Sequence, residues 1–412
     1  MNIKHFAHLT FLLGAFTWTF PTLGNEVWVA ISPKVLSAMA KNKVRVFTPK
    51  ESIEGSSENF YKIPETQLSD ISHFVHHAFK RCGGYRVLAA PPIENLKSLK
   101  TKNLPDIEFG EFWPNELDKF IDVTYTIERQ NEVNDWFNNI SETHMNEVIT
   151  KLSAYHTRYY NTPDGINALK WIGSQWEELT KMRNDMHVEY FKHADFLQPS
   201  IILTIEGSEP TKKDQIIILG GHGDSINADD REAGLRSPGA DDNAAGIALL
   251  TDMIKIVVEK NYRPKHTIQF IAYAAEEVGL RGSAEIAKTY HQNQKKVIGV
   301  MQFDGVNYVG KTFEMAILSD GVSPLQSRFV ANLVDEYVKA SWSWEKCGYA
   351  CSDHYSWHQE GYRASFPAET IASEQNPYIH TAEDTFDKSN FSTTHASLFE
   401  KLGIAYLLEL DK

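Results

Sequence analysis

QIIILGGHGDSIN, residues 215–227, reads as a buried strand that ends in a polar loop, and the same form recurs in TIQFIAYAAEEVG (267–279) and VIGVMQFDGVNY (297–308). Each opens with a short, nearly unbroken apolar run rich in β-branched residues, the mark of a strand covered on both faces. Each then passes into a residue that can bind metal or move protons: His222, the pair Glu276 and Glu277, and Asp304. Between the first two lies PGADDNAAGIALLTDMIKIVVEK (238–260), whose apolar residues recur with helical spacing. Strands alternating with helices specify an α/β fold with a mixed, mostly parallel central sheet covered by helices on both faces, and ligands then bind at the carboxyl ends of the strands. IILTI (201–205) and a run near Tyr362 to Phe366 add strands. Helical patterns cover Val133 to Tyr155, Ile166 to Arg183, LRGSAEIAKTYHQ (280–292) and SPLQSRFVANLVDEYVKA (323–340).

The chain has 412 residues, is 42% hydrophobic, and carries 41 Lys and Arg against 54 Asp and Glu, for a net charge of -13. No stripe of basic residues could follow phosphates, so nucleic acid is not an expected partner. The first 24 residues combine a weakly basic start, an apolar stretch from Leu9 to Phe20 and small residues at Thr22 and Gly24, the pattern of a secretory signal peptide. Nothing later matches the roughly 18 to 20 apolar residues of a membrane span, so the mature protein is expected to be secreted and free of the membrane, and to act as a monomer. Residues 25–120 read as a pro-region and linker, and 121–412 as the catalytic domain. His73, His76 and His77 in HFVHHAFKRCGG (73–84) hint at a metal cluster, but their helical spacing favours a surface or packing role. Of three cysteines, Cys347 and Cys351 lie close together and Cys82 stands apart.

His222, Asp241 in PGADDNAAG, Glu277, Asp304 and His380 in NPYIHTAEDT form a set that can hold two zinc ions. Zinc accepts imidazole nitrogen and carboxylate oxygen, and a catalytic site keeps a position open. Asp241, in a tight turn before a helix, is the expected bridge. His222 with Asp304 would complete one ion, and Glu277 with His380 the other. Asp224, two residues after His222, is expected to orient its imidazole. Neighbouring side chains on an extended backbone point apart, so with Glu277 as ligand Glu276 is the expected general base. Zinc lowers the pKa of bound water toward ~7, which makes a nucleophile available near neutrality. Cys347 and Cys351 can meet disulfide geometry across their short loop, with a zinc site through the thiols as the weaker alternative. The loop would hold Tyr349 at the rim, where its hydroxyl can stabilise an oxyanion. Ser352, Asp353 and His354 are consecutive and cannot form a catalytic triad.

At these segments the chain resembles the bacterial secreted leucyl aminopeptidase family of co-catalytic dizinc exopeptidases, from about Asn134 to Leu410. The resemblance implies the zinc exopeptidase fold, two Zn2+ ions held by the five ligands above, Glu276 as base, Asp224 as the aspartate supporting His222, and a Cys347–Cys351 disulfide beside Tyr349. It further implies a cis peptide between Asp241 and Asp242, a removable N-terminal segment, and peptide or protein N-termini as substrate.

Where leucine-preferring relatives close the side-chain pocket with bulky groups, this chain has Gly305 and the stretch SFPAETIASEQNPYIH (365–380). Phe366, Ala368, Ala372, Gln375 and Ile379 would then line a wider, more polar pocket that accepts aromatic or basic side chains. Glu369 and Glu374 are placed to attract a basic group, but their ordinary role is surface charge. A carboxypeptidase or a glutaminyl-cyclase-like acyl transferase would keep much of the ligand pattern, and a non-catalytic binding module would be expected to have lost part of it.

Overall fold

The computed structural model describes residues 26–42, 47, 51–54, 59–79, 85–88, 123–229 and 234–412. The expected leader, residues 89–122, Cys82 and the side chains of His73 and His77 lie outside the described residues.

The N-terminal unit comprises β1 (Glu26–Ile31), α1 (Pro33–Lys41), β2 (Glu51–Glu54), β3 (Asn59–Pro64), α2 (Leu68–Phe79) and β4 (Tyr85–Leu88). Ser32 caps α1 by accepting the Val35 amide, and Pro33 opens the helix where an N–H would have no partner. The strands pair antiparallel in the order β2-β3-β1-β4. Val29 and Ile31 of β1, Ile63 of β3 and Ile71 and Val75 of α2 bury a core separate from that of the rest of the chain.

The larger unit begins with α3 (Gln130–Phe137), α4 (Glu142–Ser153) and α5 (Pro163–Thr180), then β5 (Met186–Phe191), β6 (Ser200–Ile205), β7 (Gln215–His222), α6 (Gly246–Glu259), β8 (Thr267–Tyr273), α7 (Arg281–Gln292) and β9 (Lys296–Gln302). It continues with β10 (Met315–Leu318), α8 (Pro324–Leu333), β11 (Trp342–Glu345), α9 (His354–Gln359), β12 (Ala364–Ser365), β13 (Pro367–Ala368) and α10 (Thr394–Leu410). The main sheet has the order β12-β9-β7-β8-β6-β5. Its first four strands are parallel, and β6 and β5 join antiparallel at the other edge. Side chains alternate across β7: Ile217 and Leu219 enter the core shared with α5, α6 and α10, while Ile216 and Ile218 pack with Ile286 and Tyr290 of α7 and with Trp357. The expected α/β class and helix-covered, mostly parallel sheet are therefore present.

Details differ from the sequence expectation. The run from Val133 to Tyr155 is two helices, because Ser141 caps α4 by accepting the His144 amide while its own N–H donates to buried Asp252. A second sheet, β11-β10-β13, closes one side of the site.

Candidate active site

The ends of β7, β8 and β9 lie side by side, so the loops that follow them converge. His222 closes β7, and its Nε2 lies 3.0 Å from Asp242 Oδ1 and 3.2 Å from Asp304 Oδ1. His380 Nε2 lies 2.8 Å from the other oxygen of Asp242 and 3.5 Å from Glu277 Oε2. The carboxylate between the two histidines is thus that of Asp242. Asp241, the expected bridge, turns away: its oxygens accept the Asn307 amide at 2.8 Å and Asn376 Nδ2 at 2.9 Å. The cis peptide is likewise one position later than expected, at Asp242–Asn243.

Asp384 fixes this turn by accepting the amides of both Asp241 and Asp242, at 3.2 and 3.1 Å. Gly239 leads into it with φ of 52°, where a Cβ would sit 2.3 Å from the Asp242 carbonyl oxygen, so only glycine fits. Arg158, wholly buried, donates to the carbonyls of Leu152, Gly223, Pro238 and Gly239, pinning the loops that carry His222 and Asp242.

Beyond β8, Ala275 adopts φ of 53° and turns the chain so that Glu276 and Glu277 diverge. Asp224 accepts both of their amides, at 3.0 and 3.2 Å, and its Oδ1 stands 3.5 Å from His222 Nδ1. It therefore braces the glutamate pair as well as lying beside the imidazole. The Glu276 carboxylate is fully buried with no hydrogen-bond partner for either oxygen among the described residues. Burial pushes its pKa well above the usual range, against the pull of His222 and with reinforcement from Asp304 and Asp353. Ser352 is wired to the centre: its hydroxyl donates to Asp304 Oδ2 at 2.6 Å. Asp353 accepts from Gln302, and burial of its carboxyl pushes the pKa up to about 7, whereas burial pushes His354 down to about 3. The three neighbours make no triad.

Ligand-type atoms gather in two groups, His222 with Asp242 and Asp304, and His76 with Glu277 and His380, each within 4.8 Å. His76, from α2 of the N-terminal unit, is the member that sequence reasoning passed over.

The sequence matches the model of peptidase family M28 over residues 200–401. A probable aminopeptidase of Saccharomyces cerevisiae is 31% identical over 292 residues, spanning 69% of this chain and 77% of the yeast protein. The chain belongs to peptidase family M28. A probable leucine aminopeptidase of Arthroderma benhamiae is 33% identical over 68% of this chain and 77% of its own length. The crystal structure of LapB from Legionella pneumophila superposes with a TM-score of 0.76 at 27% identity, covering 94% of this chain and 100% of that one.

M28 peptidases are zinc-dependent, and this one has a donor set that suits the ion. Ligand atoms ~2.0–2.2 Å from one tetrahedral zinc stand roughly 3.3 Å apart, and the separations here run from 2.8 to 3.5 Å. Buried imidazole, buried carboxylate and an unpartnered glutamate together are costly without a cation and water between them.

Beside the centre this M28 peptidase has an open pocket lined in part by Asp242 and Asp304. Gly305, Phe366, Ala368, Gln375 and Ile379 line it as expected. Ala372 does not: it is exposed and its amide donates to Glu345 at 2.8 Å. Glu345 itself forms part of the wall, a polar contribution the sequence did not reveal. Glu369 is buried rather than on the surface; it accepts the Tyr308 and Asn376 amides, and burial beside Asp241 raises its pKa well above the usual range. Glu374 accepts from Lys311 and Thr312, outside the pocket. The Cys347–Cys351 disulfide is formed, with Cα atoms 6.3 Å apart, and Tyr349 between them is buried beneath Phe79 and Lys34 of the N-terminal unit.

Proposed function

We propose that this chain is an exported two-zinc aminopeptidase that removes N-terminal residues from peptides and proteins, with a side-chain pocket wide enough for aromatic or basic residues. The observation that carries the reading is Asp242, whose two oxygens face two histidines beside the unpartnered Glu276. His222, Asp304 and Asp242 would hold one ion, and Asp242, Glu277 and His380 the other. When bound, zinc polarises a carbonyl and makes water a nucleophile near neutral pH.

The protein's own groups do the rest. Glu276 takes a proton from the attacking water and returns it to the leaving amine, a role open to a buried carboxylate with no hydrogen-bond partner among the described residues. Asp224 keeps Glu276 and Glu277 pointing apart through their amides. Tyr349, held by its disulfide loop, supplies a hydroxyl for the developing oxyanion. Glu345 places a carboxylate on the pocket wall. Export is supported by the leader-like residues 1–24 and by a disulfide, which persists in oxidising compartments. Residues 25–120 would then be a pro-region.

Zinc-dependent hydrolysis of leucyl, phenylalanyl, lysyl and arginyl anilides, each beside its N-acetylated form, tests the reading. Free-amine substrates alone should be cleaved, with lysyl and arginyl at least equal to leucyl. Glu276→Gln should lower kcat by about 10²–10⁴ while zinc content is kept. Cleavage of blocked forms would overturn the exopeptidase reading, and strict leucine preference would remove the pocket assignment.

A further inference from the structure

We propose that His76 is a ligand for the zinc held by Glu277 and His380, and that the N-terminal unit keeps the peptidase latent by inserting it. The latency part rests on the aminopeptidase reading of the site; the ligand part does not.

α2 is built with two faces. Leu68, Ile71 and Val75 enter the core of the N-terminal unit, while Ser72, His76 and Phe79, at helical i, i+4, i+7 spacing, meet the larger unit. His76 is fully buried, with Nε2 3.0 Å from Glu277 Oε2 and its ring edge-on to His380 at 4.2 Å between centroids. An imidazole against a carboxylate and a second imidazole in a dry interface is costly unless a proton or a metal ion is shared between them.

The hydrogen bonds around Ser72 settle how His76 is oriented. The Ser72 hydroxyl donates to the Glu277 carbonyl at 2.7 Å, so its proton is committed. His76 Nδ1 faces the Ser72 carbonyl oxygen at 2.6 Å, an atom that only accepts, so Nδ1 carries the proton. In the neutral ring Nε2 then presents a lone pair 3.0 Å from a carboxylate oxygen, two acceptors at the separation of neighbouring ligands on one ion. A backbone carbonyl on one ring nitrogen and the ion on the other is the usual arrangement of a metal-binding histidine.

Other contacts clamp the unit in place from outside the centre. Lys34 Nζ donates to the Cys347 carbonyl at 2.8 Å, Arg281 donates to Glu65 at 2.9 Å, and the Val87 amide donates to the Gly279 carbonyl at 3.2 Å. Phe79 and Lys34 also cover the ring of Tyr349. While α2 is docked, a substrate reaching the Glu277 side would have to displace His76, and the hydroxyl proposed for oxyanion binding lies under the same cover. Cleavage in the 89–122 segment and departure of the N-terminal unit would expose both at once.

The test uses the full chain without its leader, loaded with Co2+, whose visible spectrum reports ligand number and type, together with zinc affinity by chelator competition. Wild type is compared uncut and after cleavage in the 89–122 segment with removal of the N-terminal unit, and with uncut His76→Gln and Lys34→Ala. The expected result is that the His76→Gln spectrum departs from the uncut wild type toward that of the cut enzyme. Zinc affinity at one site should fall roughly tenfold or more, while Lys34→Ala keeps the wild-type spectrum. Uncut His76→Gln should also gain peptidase activity. Matching spectra and affinities for uncut wild type and His76→Gln would overturn the proposal, leaving His76 a packing contact. If His76→Gln does not fold, identical spectra for uncut and cut wild type overturn it equally. Failure of every form to cleave free-amine substrates would refute the aminopeptidase reading and latency with it, while the spectra would still decide the ligand.

Discussion

Asp224 joins His222, Glu276 and Glu277 through one carboxylate, and Asp384 does the same for the amides of Asp241 and Asp242. Such bridging decides which of two adjacent aspartates faces the histidines. Asp241 and Asp242 share residue type, turn and neighbours, so local pattern cannot separate them. The choice is made by Asn307 and Asn376, 66 and 135 residues further along the chain, which claim Asp241. His222, Glu277 and Asp304 were legible because each lies at or just past the end of an apolar strand; His76 was not, because its partner Glu277 lies 201 residues away. A sharp test follows from the swap. Asp242→Asn should lower bound zinc below two per chain, since an amide cannot bridge two cations, whereas Asp241→Asn should retain both ions. Metal analysis after dialysis checks this, and loss of zinc from Asp241→Asn alone would restore Asp241 as the bridge.

At the scale of elements, β7, β8 and β9 were readable because strands buried on both faces are apolar throughout. β10, β11 and β13 were not: they have only four, four and two residues, and their pairing is set by chain segments far apart. Helix pairing holds another feature hidden from periodicity, the burial of Glu400 of α10 beside Asp252 of α6. Burial, reinforced by the charge of Asp252, pushes the Glu400 pKa well above the usual range. A raised folded-state pKa means that the folded chain binds more protons than the unfolded one. Stability from this group is then full below the unfolded value of about 4.3 and lost as pH rises toward the folded value. Glu400→Gln keeps a donor toward Asp252 without the ionisation, so at pH 8 it should be more stable by on the order of 1 kcal/mol, or roughly 2 °C in Tm. The gain should shrink toward pH 4. Melting curves at both pH values check it, and a variant less stable than wild type at pH 8 would contradict the assignment.

For the whole molecule, the junction of the sheet's strand ends with the N-terminal unit concentrates acid that only cations can hold together. Burial raises the pKa values of Glu276, Glu369 and Asp384 well above the usual range and that of Asp353 to about 7. Against them stands Arg158, fully buried and spent on backbone carbonyls. Asp242 moves the other way, held well below the usual range by His222 and His380 despite its burial, so its contribution is lost only on strong acidification. The first four therefore dominate near neutrality. Their folded pKa values exceed the unfolded ones, so without metal the stability they contribute is lost as pH rises, for Asp353 through about 7. Bound zinc reverses the preference by favouring the charged carboxylates, and binding to the folded state alone adds stability that grows with occupancy. Chelated protein should therefore lose Tm between pH 6 and pH 8, while zinc-loaded protein should hold its Tm across the same interval. Taking the difference between the two profiles cancels titrations elsewhere in the chain. Parallel profiles would mean that the acidic cluster is indifferent to the metal and that its charge is balanced within the protein.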